Sequence, residues 1–471
     1  MSGPCSLRPS FQRPGAMPGF TGRIEWFFVH YRTHVALVHA AMFVLFVGLL
    51  AVPLFFGPPP EHAGPLDHVA TFANYLIWGL WFPLVFVSVV VTGRSWCGLL
   101  CPMGAASEWA NSVGLRREIP RWLQWPGTPV VSFIIVTIWG QTLGVRDHAE
   151  AMAVLFGSVM GAAILTGFIW GRRKRAWCRH ACPIGLMLGV YSRLGAVDFA
   201  AKRPEAGGVT WTEKTVCPTM IDLKQKVESR HCIECFRCVS PKAPGGLFLK
   251  LRRPGAEIED VGAHHANLPE VMFLFMGTGA ALGGFLWLVL DSYQKLRMAV
   301  GDWAIDHEWY WLGEPGPVWL MAVYPEQREV LRWLDFFMIS GYMLGWLAIM
   351  TALLSATTAA TAWLSGRAGG TGSFGKRFVE LGYLVAPVAM VSLLLGLAGG
   401  LFRNLHYVGI DHGGIALVKG ALFLAGCLWS LHLGNRLLAA QGVLLARRWL
   451  PLLPGALGSA AVGAAWYPAI F

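Results

Sequence analysis

An all-α, polytopic membrane fold interrupted by one small polar insert is what the sequence predicts, and three observations predict it. Of the 471 residues, 55% are hydrophobic and only 14% charged, where a soluble domain carries about 25% charged residues. Nine apolar runs are long enough to cross the roughly 30 Å of bilayer hydrocarbon as helix. One polar stretch, Asp198–Asn267, separates the first four runs from the other five.

The chain divides accordingly. Residues 1–33 are a tail rich in Pro and Gly that bears Arg8, Arg13 and Arg23 and lacks the early apolar core of a secretory signal. Residues 34–197 hold His34–Phe56, Ala70–Thr92, Thr128–Val145 and Ala151–Gly171, read as two tandem hairpins. Residues 198–267 are the insert. Residues 268–471 hold Glu270–Leu290, Leu331–Leu353, Phe378–Phe402, Gly414–Leu437 and Leu450–Ile470 as a second membrane domain, with an acidic loop at 291–330.

Lys and Arg collect in short cytoplasmic loops, and here they alternate. Gly57–Val69 has none, Arg94–Gly127 has Arg94, Arg116, Arg117 and Arg121, Arg146–Glu150 has one, and Arg172–Arg175 is a block of four. Arg367, Lys376, Arg377, Arg447 and Arg448 mark the later inner loops. The predicted location is a bacterial inner membrane, with the N-terminus and the insert in the cytoplasm. The net charge of +11 follows from this topology, and no nucleic-acid partner is required.

Eight of the ten cysteines form a pattern on the predicted cytoplasmic side: Cys97 and Cys101, Cys178 and Cys182, Cys217, then Cys232, Cys235 and Cys238. In a reducing compartment such spacing means metal or redox chemistry rather than structural disulfides. Cys5 and Cys427 read as a tail thiol and an apolar filler.

Cys232-Ile-Glu-Cys235-Phe-Arg-Cys238 can grip three corners of a cubane, which needs a fourth thiolate. In two-cluster ferredoxins the run is C-x2-C-x2-C-x3-C-P, and its fourth cysteine serves the other cluster. Cys217-Pro218 is such a fourth cysteine. The remaining positions of its run are Gly207, Thr210 and Glu213, and the fourth position of the second run is Lys242. These four absences are one complete ligand set, and Cys217, Cys232, Cys235 and Cys238 are the other. The sequence therefore predicts one [4Fe-4S] cluster in a ferredoxin-like insert. Zinc also takes four thiolates, but it explains neither the Cys-Pro nor the crossed loss.

A second pattern is a tandem repeat: Ser95-Trp96-Cys97-Gly-Leu-Leu-Cys101-Pro102-Met103-Gly104 against Ala176-Trp177-Cys178-Arg-His-Ala-Cys182-Pro183-Ile184-Gly185. Parallel repeats pack about an axis along the membrane normal, so the two pairs are expected to converge into one four-thiolate pocket. Cysteines at i and i+4 share a helix face, and the proline suits a first helical turn. The pocket's occupant stays open between a second cluster, copper and a dithiol/disulfide pair.

With these residues in hand, the segment from about Arg32 to Pro241 resembles the membrane ferredoxin family that includes NapH, the C-terminal part of NosR, MauN and the CcoG/FixG oxidase-assembly proteins. The paired W-C-x3-C-P-x-G is its mark, and Val216-Cys217-Pro218-Thr219-Met220-Ile221-Asp222 looks like the V-C-P-T-G-I-D block of the CcoG branch. The resemblance implies electron transfer linked to periplasmic reductases or copper enzymes. This chain departs from the family in keeping one ligand set where two are usual, and in replacing the domains of NosR and CcoG with further spans.

Beyond Leu268 there is no motif. Asp335 and Lys419 sit about one turn inside their spans, where ionisable groups are functional suspects. Arg403, His406, Asp411 and His412 join them on the outer side, so a periplasmic-side quinol or metal pocket competes with a plain Asp335–Lys419 ion pair or snorkelling side chains. Trp303, Trp309, Trp311 and Trp319 read as interfacial anchors.

The leading functional expectation is an electron-transfer subunit, a conduit rather than a stand-alone enzyme, linking the quinone pool or a periplasmic redox partner to the cluster. The partner would be a periplasmic reductase, cytochrome or copper enzyme, or a cytoplasmic ferredoxin. Two alternatives stand beside it: a copper-handling assembly factor using the four CxxxCP thiols with Met103, since soft sulfur favours Cu(I), and a membrane redox sensor.

Overall fold

The computed structural model describes residues 19–60, 63–171, 174–201, 216–223, 225–239 and 247–470. Cys5, Gly207, Thr210, Glu213 and Lys242, named above, lie outside them.

Nine long helices occupy the nine predicted runs. Seven are long and apolar enough to cross a membrane: α1 (Arg32–Phe55), α2 (Val69–Thr92), α4 (Ala149–Ile169), α5 (Leu268–Val289), α6 (Trp333–Arg367), α7 (Phe374–Leu397) and α8 (His412–Ala440). The other two are α3 (Thr128–Leu143) and α9 (Trp449–Ile470). With 16 residues, α3 reaches about 24 Å at 1.5 Å per residue, while α9 has 22 residues; seven of the nine runs meet the length and hydropathy of a full span among the described residues. The chain is a multi-pass membrane protein.

The predicted boundary at residue 268 does not divide the core. Val85, Phe86, Phe133 and Leu188 from the first half share one continuous cluster with Phe273, Leu354, Leu384 and Trp466 from the second. Within that cluster α5 lies closely against α6. A side chain at Gly279 would come within 2.6 Å of the Leu347 Cα, and one at Gly283 within 2.8 Å of the Met343 Cα. Small residues four apart are how membrane helices approach closely.

The loops sort onto two ends. At one end Arg146 bonds the Gly396 carbonyl at 2.8 Å, His148 meets Glu329 at 2.8 Å and Trp139 bonds the Trp319 carbonyl. These are loops assigned to one side by their poverty in Lys and Arg. At the opposite end lie all eight patterned cysteines, together with a two-stranded antiparallel ribbon, β1 (Val197–Ala201) and β2 (Leu247–Leu251), with Phe199 opposite Leu249.

A buried ionic network ties the ribbon end to the second half. Arg193 donates to Glu257 and Glu270, both at 2.8 Å, and all three side chains are 0% exposed. Arg230 also reaches Glu270, Arg252 reaches Glu257, and Tyr383 on α7 donates to Glu270. Each charge in this low-dielectric setting has partners, without which burial would cost several kcal/mol per ion.

Candidate iron–sulfur centre

Cys217, Cys232, Cys235 and Cys238 line one small cavity, walled by Phe199, Ile221, Leu223, Ile233 and Leu247. Glu234, Phe236 and Met220 take left-handed backbone angles (φ 51°, 58° and 59°), which curl each loop around its cysteines at some conformational cost. The Ile221 amide donates to the Cys217 sulfur at 3.4 Å. Phe236 stacks on Phe28 at 4.0 Å, so the helix Phe20–His30 covers the site.

The donor set suits a cubane. Among the described residues no three Cys, His, Asp or Glu converge as they would around a single ion, whereas zinc bonds of about 2.3 Å would gather four thiolates within about 4 Å of one another. A cubane bonds each thiolate to a different iron and needs no such convergence. Burial pushes the thiols of Cys232, Cys235 and Cys238 up, so they ionise only against a bound cation.

The second set also lines a single cavity. Cys97, Cys101, Cys178 and Cys182 line one largely apolar cavity of about 190 Å³. The Sγ of Cys178 lies 3.4 Å from where a side chain at Gly104 would begin, and the Gly104 amide meets the Cys101 sulfur at 3.4 Å, so sulfurs of both copies flank one residue. Burial raises the thiol pKa of Cys101 to about 11 and of Cys178 to about 12, and pushes Cys182 well up.

The expectation that each pair shares one helix is corrected. Cys97 lies in the short helix Ser95–Leu99, while Cys101 is extended (ψ 115°) and caps the next helix, Pro102–Val113. Cys178 and Cys182 repeat this at Ala176–His180 and Pro183–Ser192. A proline disfavours helical backbone in the residue before it, so Pro102 and Pro183 start new helices and leave each second cysteine at an N-cap.

Two arginines escaped the sequence reading although the repeat contains them. Arg94 and Arg175 each precede the first cysteine of their copy by three residues, and they are 3% and 0% exposed. Arg94 reaches the Cys97 sulfur at 4.0 Å; Arg175 donates to the Cys97 carbonyl at 2.9 Å. Arg94 Nε and Arg175 Nη2 have no hydrogen-bond partner among the described residues. Buried guanidinium N–H groups of this kind favour negative charge on neighbouring sulfur. Glu108 bridges Arg175 at 2.7 Å to Arg237 at 2.9 Å. Burial alone would raise its carboxyl, but the two guanidiniums overcome this and hold it at about 2.

The polar residues of the second half separate into three places. Asp335 pairs with Arg297 and accepts the Arg332 amide at 2.9 Å, so the expected Asp335–Lys419 ion pair is corrected: the acid is used at the start of its own helix. Asp411 caps α8 through the Gly414 amide at 2.8 Å. Arg403, His406, His412 and Lys419 do come together, lining a cavity of about 1110 Å³, with the two imidazole centroids 4.5 Å apart and Lys419 5.7 Å from the Phe402 ring. Trp78, Arg146 and Leu397 line both this cavity and the thiol cavity. Trp78 lies on a π-helical stretch of α2, Tyr75–Trp81.

Residues 75–120 and 152–202 match the family described as "4Fe-4S binding domain". The matched residues contain both CxxxCP copies and stop short of Cys217. The N-terminal half is similar to NapH and NosR. The ferredoxin-type protein NapH of Escherichia coli is 27% identical over 168 residues, 31% of this chain and 58% of NapH. The regulatory protein NosR of Pseudomonas aeruginosa is 22% identical over 206 residues, 36% of this chain and 28% of NosR. The putative electron transport protein YccM of Escherichia coli is 24% identical over 195 residues, 35% of this chain and 53% of YccM. The matched stretch thus spans less than two thirds of each of these three relatives. No solved structure matches the chain. The similarity supports an iron–sulfur cluster and a role in electron transport.

Proposed function

We propose that the chain carries electrons between the quinone pool or a periplasmic redox protein and a cytoplasmic-side [4Fe-4S] cluster held by Cys217, Cys232, Cys235 and Cys238, in support of a periplasmic reductase or copper enzyme. The observation that carries the reading is the small cavity lined by those four cysteines, with Glu234 the one other ligand-type side chain in its lining. The cluster would supply one-electron storage; the chain excludes water from it through Phe28, Phe199 and Leu247. A quinone link draws support from the outer cavity of Arg403, His406, His412 and Lys419 and from its shared wall with the thiol cavity.

Anaerobic purification with iron and sulfide quantification tests this. Cys235→Ser is expected to lower the iron content and remove the reduced-state paramagnetic signal of the [4Fe-4S] form, since three thiolates do not complete the set of four. An unchanged iron content would overturn the assignment, and two magnetically coupled clusters within 198–267 would overturn the ligand count.

A copper reading draws support from Met103, which lines the same cavity as the four CxxxCP thiols, since thioether with thiolate suits Cu(I); no three ligand-type side chains among the described residues converge on one ion, so copper would have to draw the thiols together. Copper quantification on the same preparation separates the two.

The cytoplasmic placement of the cysteine end rests on the Lys/Arg asymmetry. Alkaline phosphatase fused after Glu314 is expected to be active and after Arg203 inactive. The reverse pattern would invert the topology.

A further inference from the structure

The two CxxxC loops are alike at their cysteines and differ at the first position between them, where one copy has Gly98 and the other Arg179. Each contacts a different half of the ferredoxin-type ligand set. At Gly98 a side chain would begin 2.1 Å from the Ile233 carbonyl oxygen and 2.9 Å from the Cys235 amide nitrogen, so the backbone of the three-cysteine loop is seated against bare backbone. His39 Nε2 lies 3.1 Å from the Gly98 carbonyl oxygen on the other side. In the second copy Arg179 Nη1 donates to the carbonyls of Thr219 at 2.5 Å and Met220 at 2.8 Å. Two residues of the same copy's lead-in add to this grip: the Arg175 amide donates to the Pro218 carbonyl at 2.8 Å, and Lys174 Nζ to the Cys217 carbonyl at 2.7 Å.

We propose that the tandem CxxxC loops are the jig that assembles the ferredoxin-type site, with Gly98 seating the Cys232–Cys238 loop and Arg179 holding the Cys217 segment in register with it. The proposal rests on the assignment of those four cysteines as cluster ligands. The physical need is plain in the chain: three ligands share one loop and the fourth lies on a separate segment, so loop closure alone leaves the fourth free to wander. A repeat whose two copies face each other offers two fixed points on one rigid frame. The same contact brings the four-thiol pocket and the cluster site into touch through backbone.

The difference between the copies then has a chemical reason. A glycine is required where the partner is backbone at closest approach, and any Cβ must push the Ile233–Cys235 chain away. An arginine suits the pair of carbonyls, because Arg179 Nη1 meets both of them with two N–H donors fixed in the guanidinium plane, whereas the donors of a lysine's ammonium rotate freely.

Full-length protein purified anaerobically in detergent provides the test, read by iron and sulfide content and by electron paramagnetic resonance. Arg179→Ala is expected to free the Cys217 segment, so that on titration with ferricyanide the [4Fe-4S]2+ site gives one electron to the oxidant and releases one Fe2+, visible as a [3Fe-4S]+ signal with one iron fewer per site. Arg179→Lys is expected to show a mixture of the two forms. Gly98→Ala is expected to shift the signal of the reduced cluster or remove it, while elution as a single monodisperse peak shows that the membrane fold persists. Wild-type spectra and iron content in both Arg179→Ala and Gly98→Ala would overturn the proposal. If Gly98→Ala aggregates, Arg179→Ala and Arg179→Lys decide alone, since a merely structural contact would not produce the three-iron signature. Cys235→Ser retaining full iron would instead overturn the underlying ligand assignment, so the two failures are distinguishable.

Discussion

Cys97→Ala and Cys182→Ala are each expected to abolish metal binding or electron transfer at the tandem thiols, and the double variant is expected to be no worse than either single one. The reason is that the four sulfurs line one cavity under two buried guanidiniums from the two copies, and groups that act as a unit lose their function together. Iron and copper content of the purified protein, with the rate at which a reduced dye is oxidised by it, would show the effect. Independent pairs would give losses that add in the double variant, and that result would sink the shared pocket. Arg94 Nε and Arg175 Nη2 lack hydrogen-bond partners among the described residues, so these guanidiniums favour whichever thiolates a bound cation generates.

Arg193→Ala is expected to destabilise the protein by about 3–5 kcal/mol, the cost of removing one member of a buried ion pair. Glu257 and Glu270 would each lose a 2.8 Å donor with no access to water. Arg252 and Arg230 remain near them and keep the figure from doubling. Arg193 also donates to the His264 carbonyl at 2.8 Å, so the link from the ribbon end to α5 loosens. Chemical or thermal unfolding in detergent measures the loss. A shift under about 1 kcal/mol would mean that Arg230 and Arg252 satisfy both carboxylates unaided.

Much of this was legible because it is local. Hydropathy marks a helix wherever some twenty residues must sit in hydrocarbon, since backbone polar groups have no other partners there, and all nine runs are helical. The cysteine spacing and the Cys-Pro point to a candidate ligand set, because the loop between successive cysteines of the three-cysteine run is only a few residues long. The arginines of the repeat stand at the same offset in both copies, but as members of basic loops they read as topology markers, and only packing shows them buried beside the thiols.

What the sequence by itself determined, then, is which segments lie in the membrane, that one four-cysteine set survives, and that two copies of a thiol motif exist. The tertiary structure alone decided that Asp335 is held by Arg297 rather than Lys419, that Arg193 unites Glu257 with Glu270, and that Gly98 lies against Ile233 and Cys235. Each of these is a contact between residues far apart in the chain, fixed by how helices pack. Spacing along a sequence constrains neighbours within a turn or a loop; which charge finds which partner, and where two backbones can approach, depends on the whole packed arrangement.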